Sequence, residues 1–341
     1  MTAIDLRSDT VTKPSSEMRR AMTAAEVGDD VLDRDPTTAR LEARVAELLG
    51  MGDALFFPSG TQANQTAIGL LTRPGTELLV EANAHLVHYE LGGVAANWGV
   101  QIRSIATADG MLTGALVRGA LRPVSPHVPR AGAVAAENTH NAAGGKVMTV
   151  EMMTGIVAAA RDAGLPLHLD GARLWNAAAA LGVPVSRLAA GATTVMVSFS
   201  KGLGCPVGSC LAIPAGDRGR AWEIRKRLGG GMRQSGILAA AALWALDNNV
   251  ARLAEDHANA RLLAERVAAC RTLRAEPPQS NVVMIDLTRE GDTAEAAVAK
   301  LARASVLVVP FGPRRLRAVT HLDVTRPDVE RASEVIGHVL A

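Results

Sequence analysis

A lysine and an aspartate about thirty residues apart, each just past an apolar run, carry most of the chemical information in this chain. Leu167 to Asp170 reads as a short apolar strand ending in a carboxylate, within His168-Leu169-Asp170-Gly171-Ala172-Arg173. Thr194 to Ser198 reads as a second strand, which runs into the polar turn Phe199-Ser200-Lys201-Gly202 with the lysine at its tip. Either residue alone is ordinary, since strand ends and loops are commonly polar. Together they match what pyridoxal phosphate (PLP) chemistry needs. The lysine forms a Schiff base, and the carboxylate keeps the pyridine nitrogen protonated so that the ring can draw off electrons.

A phosphate site lies upstream. Ser59-Gly60-Thr61, within Phe57–Asn64, falls between a strand and a helix. The amides of Gly60 and Thr61 would point from a helix N-terminus toward an anion, and the hydroxyls of Ser59 and Thr61 add donors. The segment is neither a Walker A loop nor a GxGxxG turn. Ser-Gly-Thr also serves as a plain N-cap, but with Asp170 and Lys201 downstream a cofactor phosphate is the better reading. His85 follows the strand Glu77–Val80, at the end where strand C-termini gather around a ligand crevice. There it could stack on the cofactor ring and move protons. Glu90, five residues on, either reaches the same pocket or faces solvent. Glu137-Asn138-Thr139-His140-Asn141 ends another apolar run and could contact the ring oxygen or carry a hydrogen-bond network; His140 could instead cap the turn that follows. Gly229-Gly230-Gly231 feeds a helix, and Arg233 beside it is either a phosphate ligand, in its own or a neighbouring subunit, or part of a plain hinge.

From about Ala54, apolar runs alternate with helical stretches. Ala54–Phe57, Glu77–Val80, Val100–Ile105, Ala133–Ala136, Leu167–Asp170, Thr194–Ser198 and Ser209–Ile213 read as strands; residues 61–71, 150–163 and 173–181 read as helices. This alternation predicts an α/β fold with a mostly parallel seven-stranded sheet covered on both faces. Helices near residues 218–228 and 234–248 close this large domain, placed at residues 1–250. A helical connector from Val250 to Cys270 opens a small C-terminal α+β domain, residues 251–341. Its expected strands are Asn281–Asp286, Val306–Val309 and Leu316–Val319, with helices near residues 293–304 and from Pro327.

Composition narrows the function further. Hydrophobic residues are 48% and aromatics only 3%, so the core is built from aliphatic side chains. The net charge of +2 and the absence of a basic run argue against a nucleic-acid partner; Arg314, Arg315 and Arg317 are too few. Met1 to Pro14 lacks the apolar centre of a signal peptide, and the longest apolar run, Ile237–Leu246, is too short to span a bilayer. A soluble cytoplasmic protein is expected. Cys205, Cys210 and Cys270 are scattered, and with no CxxC or HExxH no metal site is expected.

Taken together, Phe57–Asn64, Glu137–Asn141, His168–Arg173, Ser200–Ser209, Gly229–Gly236 and Thr320-His321-Leu322-Asp323-Val324 resemble the low-specificity L-threonine aldolases, fold-type I PLP enzymes of the β-eliminating lyase group. The opening Asp5-Leu6-Arg7-Ser8-Asp9-Thr10-Val11-Thr12 and the Gly28-Asp29-Asp30 segment are similar too. The resemblance implies Gly60 and Thr61 holding the PLP phosphate, with Lys201 as the Schiff-base lysine, Asp170 at the pyridine nitrogen and His85 on the ring; Ser59, Arg173 and Arg233 are counted with the cofactor site as well. It implies that Ser8, Arg173 and Arg317 bind the carboxylate of a small amino-acid substrate. It places His127, in the loop Pro123–Arg130, near the substrate hydroxyl, so that His85 or His127 acts as the base. The reaction implied is retro-aldol cleavage of L-threonine, L-allo-threonine and related β-hydroxy-α-amino acids to glycine and an aldehyde. Another PLP β-eliminating lyase or an aminotransferase would differ in which Cα bond is aligned. A homotetramer with sites at subunit interfaces is also implied. One position departs from the pattern: where such enzymes often carry Tyr-Gly-x-Asp-Pro, this chain has Leu32-Asp33-Arg34-Asp35-Pro36.

Overall fold

The computed structural model describes residues 3–340. Its first strand, β1 (Ile4–Asp5), lies apart from a seven-stranded sheet made of β2 (Asp53–Phe57), β3 (Glu77–Glu81), β4 (Gln101–Ile105), β5 (Ala131–Glu137), β6 (Leu167–Gly171), β7 (Thr194–Ser198) and β8 (Ser209–Ile213). The strand order is β2-β8-β7-β6-β5-β3-β4. β8 runs antiparallel to both its neighbours, and the other pairings are parallel. All five residues of β3, β6, β7 and β8 are buried, which accounts for their mainly apolar make-up: a strand covered on both faces has no reason to alternate, and the polar residues of β6, His168 and Asp170, are held by hydrogen bonds.

Helices supply both covers. On one face, Leu41 and Val45 of helix Pro36–Leu49 and Ile156 of helix Val150–Asp162 share a core with Leu169, Val195 and Val197. On the other, Ala63 and Ala67 of helix Gly60–Leu71 and Ile224 of helix Arg218–Arg227 pack on Leu55, Met196 and Leu211.

A second, smaller sheet has the order β12-β13-β10-β9, from β9 (Leu273–Ala275), β10 (Val282–Leu287), β12 (Val309–Pro310) and β13 (Arg315–Val319), all antiparallel. The run expected as one strand, Val306–Val309, changes partner midway. Its first half is β11 (Val306–Leu307), which pairs in parallel with β1, and its second half joins β13. Ile4 and Leu6 are therefore buried with Leu263, Val283, Leu316 and Ile336, although sequence order groups them with the large sheet.

The alternation of strands and helices begins at Ala54, yet helices Ser16–Thr23 and Pro36–Leu49 lie before it. The second has a clear local cause. Asp35 caps it, accepting the Thr38 amide at 2.9 Å, Pro36 takes the first turn, and Leu41, Val45 and Leu49 recur at helical spacing on the buried side. The other Asp35 oxygen accepts the Gly28 amide at 3.0 Å. Among the described residues, no helix is long and apolar enough to cross a membrane.

Asp35→Ala should lower the unfolding free energy by about 1–2 kcal/mol, the usual cost of an N-cap carboxylate. The check is a lower urea midpoint at unchanged slope. An unchanged midpoint would mean that the helix start is held by Pro36 and packing alone.

Candidate active site

The C-terminal ends of the parallel strands bring their terminal residues to one edge of the sheet. Glu137 and Asp170 close β5 and β6 side by side in register. Lys201 follows β7 in a tight turn whose Gly204, at φ +76°, donates its amide to the Lys201 carbonyl at 2.8 Å. A side chain at Gly204 would also strike Leu322, so glycine is required there by conformation and by space. The Lys201 amine is buried near Arg173, Asp9, Asp170 and Glu137. Burial and the Arg173 charge pull its pKa below the ordinary lysine value, against the pull of the three carboxylates. Such an amine is more available as a nucleophile than a surface lysine.

Asp170 is held at both oxygens. Oδ1 accepts the Ala172 amide at 3.1 Å, and Oδ2 accepts the Asn64 amide group at 2.7 Å. Asn64 lies one helical turn beyond Gly60, so the start of helix Gly60–Leu71 stands beside this carboxylate. At that start Ser59 caps the Gln62 amide at 3.2 Å, leaving the Gly60 and Thr61 amides for an anion. The fully buried Ser209 hydroxyl, without a hydrogen-bond partner, would lie 3.5 Å from a Cβ placed on Gly60. A tight backbone cradle with an unpaired donor beneath it suits a phosphate group.

His85 begins the turn after β3. Its backbone amide donates to Glu137 Oε2 at 2.7 Å, and its Nδ1 lies 3.0 Å from Glu90 Oε1. Tyr89 stacks on the imidazole with ring centroids 5.4 Å apart. Because Glu90 accepts, the proton sits on Nδ1, and Nε2 of the neutral ring is left as an acceptor. Burial pulls the His85 pKa down, but Glu90, Asp170 and Glu137 outweigh it and leave it above the ordinary histidine value. Glu137 also accepts the Asn141 amide at 2.8 Å; burial and the Asp170 charge push its carboxyl up.

Two arginines converge on one oxygen. Arg173 forms a buried bidentate pair with Asp9, both bonds 2.8 Å, and its remaining NH1 donates to Asn141 Oδ1 at 3.2 Å. Arg317 NH1 donates to the same Asn141 oxygen at 2.9 Å, while its Nε is buried without a partner. The Asn141 oxygen stands where a carboxylate oxygen would be bound. Ser8 lies next along the chain from Arg7, whose carbonyl accepts from Arg317 NH2 at 3.4 Å; the Ser8 hydroxyl itself accepts the Thr10 amide.

The structure thus gathers Lys201, Asp170, His85, Arg173 and Arg317 near the Ser59–Thr61 helix start. It does not bring His127 or Arg233 there. His127 is exposed in the loop just before β5, at the opposite edge of the sheet, because the site lies where β5 ends. Arg233 is half exposed and pairs with Asp29 at 3.1 Å, so its charge is spent on a surface carboxylate of its own chain. Leu32, at the position where a tyrosine was expected, is 75% exposed. His140 is buried and makes a network rather than only a turn cap: its Nε2 lies 2.9 Å from Glu81. The roles of Asp9, Asn64 and Asn141 were missed. All three stand inside conspicuous motifs, but their partners are far away in sequence.

The family model of the beta-eliminating lyases matches residues 5–290. The chain is also 41% identical over 336 residues to the probable low-specificity L-threonine aldolase 2 of Arabidopsis thaliana, spanning 96% of this chain and 94% of that one. The chain belongs to the beta-eliminating lyase family. This lyase is similarly 42% identical over 336 residues to the low specificity L-threonine aldolase of Escherichia coli K12, with 98% of each chain covered. Among solved structures, the threonine aldolase of Leishmania major superposes with a TM-score of 0.83 over 99% of this lyase and all of that chain, at 23% identity. That likeness shows a shared fold, the fold-type I arrangement of a large mixed sheet and a small antiparallel one.

Glu90→Gln should shift the His85 titration to lower pH, because the substitution removes a charge that favours the imidazolium. The neutral ring would then persist into more acidic solution. Histidine NMR titration reads this directly, and an unmoved midpoint would assign the shift to Asp170 and Glu137 instead.

Proposed function

We propose that this lyase is a low-specificity L-threonine aldolase, cleaving L-threonine, L-allo-threonine and related β-hydroxy-α-amino acids to glycine and an aldehyde with PLP as cofactor. The observation that carries the reading is the coincidence of about 40% identity over nearly the whole chain with one buried cluster of a lysine, a strand-end carboxylate, a histidine and two converging arginines. When bound, PLP supplies a protonated pyridine ring that takes up the electron pair released as the Cα–Cβ bond breaks.

The protein's own residues do the rest. Lys201 Nζ, its basicity lowered by burial and by the Arg173 charge, is the amine that would hold the cofactor. Asp170, the strand-end carboxylate, would hold the proton on the ring nitrogen. Ser59, Gly60 and Thr61 hold the phosphate. Arg173, Arg317 and Ser8 take the substrate carboxylate in place of the Asn141 oxygen, which fixes the rotation about Cα and so selects the bond to break. His85 is the group that would lie against the ring, and its Nε2, left as an acceptor by the Nδ1–Glu90 contact, is placed to take the proton from the β-hydroxyl.

His127 and Arg233 fit this scheme only through other subunits, and a homotetramer with shared sites is part of the proposal. Light scattering of the purified protein checks the assembly; a monomer with full activity would remove both residues from the site.

Lys201→Ala should abolish the visible cofactor absorbance and nearly all aldehyde release from L-threonine. Activity near that of the unaltered enzyme would overturn the reading. Arg317→Ala should leave the absorbance intact and raise KM for threonine about 10- to 100-fold, the worth of a charge-assisted pair. Loss of the absorbance instead would move Arg317 to the cofactor.

A further inference from the structure

Seven buried or half-buried polar side chains from four separate segments form one chain of contacts that runs from beneath the site into it. Thr194 Oγ1 lies 2.9 Å from His168 Nδ1, and His168 Nε2 lies 3.0 Å from Asn64 Oδ1. Asn64 Nδ2 reaches two carboxylates at once, Asp170 Oδ2 at 2.7 Å and Glu90 Oε1 at 2.8 Å. The same Glu90 oxygen accepts from His85 Nδ1, and Gln65 holds the other Glu90 oxygen at 2.7 Å.

The donors and acceptors along this chain admit one assignment. Carboxylate oxygens accept, so the NH2 end of Asn64 must face Asp170 and Glu90, one hydrogen to each. Its carbonyl then faces His168, whose Nε2 must carry the proton. His168 Nδ1 is left bare and accepts from the Thr194 hydroxyl. Burial holds the His168 pKa down to about 4, which agrees with an imidazole that stays neutral. Potential ligand atoms of His85, Glu90 and Asp170 lie within 4.8 Å of one another, a spacing that could suit a metal ion. The Asn64 hydrogens already bridge its two carboxylates, so they are satisfied without a cation.

We infer that Asn64 is a positioning residue: held one way round by His168 and Thr194, its amide ties Asp170 to the Glu90–His85 pair, so that the carboxylate at the ring nitrogen and the base at the β-hydroxyl are oriented as one unit. The inference rests on the roles given above to Asp170 and His85. Turning the Asn64 amide over would place its oxygen against two carboxylates, and His168 is the group that prevents this. His85 faces charge from Glu90, from Asp170 on β6 and from Glu137 on β5, so its titration reports on the whole arrangement.

The test compares His168→Phe, which has no donor, with His168→Gln, which keeps an amide N–H for Asn64. In the phenylalanine variant kcat for L-threonine should fall about 10-fold or more, with KM changed less, while the glutamine variant recovers most of the loss. In the cofactor-free chain, the His85 NMR titration should move in His168→Phe and stay near its original midpoint in His168→Gln. That second reading does not depend on aldolase activity, so its failure can be told apart from failure of the functional assignment, which Lys201→Ala tests. An unmoved His85 titration in His168→Phe would overturn the inference, and equal losses of kcat in the two variants would reduce His168 to a packing residue.

Discussion

The buried pair between Asp9 and Arg173 is the contact on which the site's geometry rests. Asp9 belongs to the N-terminal segment, Arg173 follows β6, and Asn281, beside the small sheet, donates to the same Asp9 carboxylate at 3.3 Å. Thr12, three residues on, ties the Asp9 carbonyl to that of Lys201. Three distant stretches of chain are thus fixed around one carboxylate. Both partners of the pair are almost wholly buried, and removing one partner of such a pair typically costs about 3–5 kcal/mol, because the other charge is left unpaired. The pair also settles how Arg173 is used. Two of its nitrogens are committed to Asp9, so NH1 alone is turned toward Asn141 and whatever displaces it.

Charge is sorted across the site by the strands that deliver it. Glu81, Glu137 and Asp170 close β3, β5 and β6, and each is matched by a histidine or by backbone and side-chain amides. Arg173, Arg317 and Lys201 form the opposite side, where burial lowers Arg317 and Lys201 while Asp9 keeps Arg173 up. Under the proposed function, this division would set a substrate carboxylate against the guanidinium groups and the cofactor's ring nitrogen against Asp170. The low dielectric of the buried edge makes each of these contacts count for more than it would in water.

The inner strands of the sheet were legible because they are buried on both faces and so stand out as mainly apolar runs between helical stretches, and the edge strand β4, half exposed, was legible from its flanking turns. Asp170 and Lys201 were legible for a related reason: a polar residue just past such a run lies at the sheet edge, whatever the rest of the chain does. The Asn64–Asp170, Asp9–Arg173 and Asn141–Arg317 contacts were not, since each joins residues more than a hundred positions apart and no local pattern signals the partner. The helices before Ala54 are a different case. The cap at Asp35, the proline after it and the spacing of Leu41, Val45 and Leu49 are all local signals, but they stand outside the strand–helix alternation that marks the sheet. The split of Val306–Val309 between two partners depended on where β1 came to rest, which is a tertiary matter.

His127 shows where a single chain stops being a sufficient frame. It precedes β5, and β5 must be crossed from end to end to reach Glu137. Seven residues at about 3.3 Å each put roughly 20 Å between the two edges of the sheet. An imidazole side chain cannot cover that distance, and His127 is exposed in a loop whose Arg122 is tied to Glu77 at the near end of β3. Any part His127 plays at a β-hydroxyl therefore requires a second copy of the chain to present this edge to the other's site. The same argument applies to Arg233, whose pairing with Asp29 holds it at the surface. A loop residue that acts across an interface is selected by the geometry of the assembly, so neither its own sequence context nor its own fold need show any sign of the role.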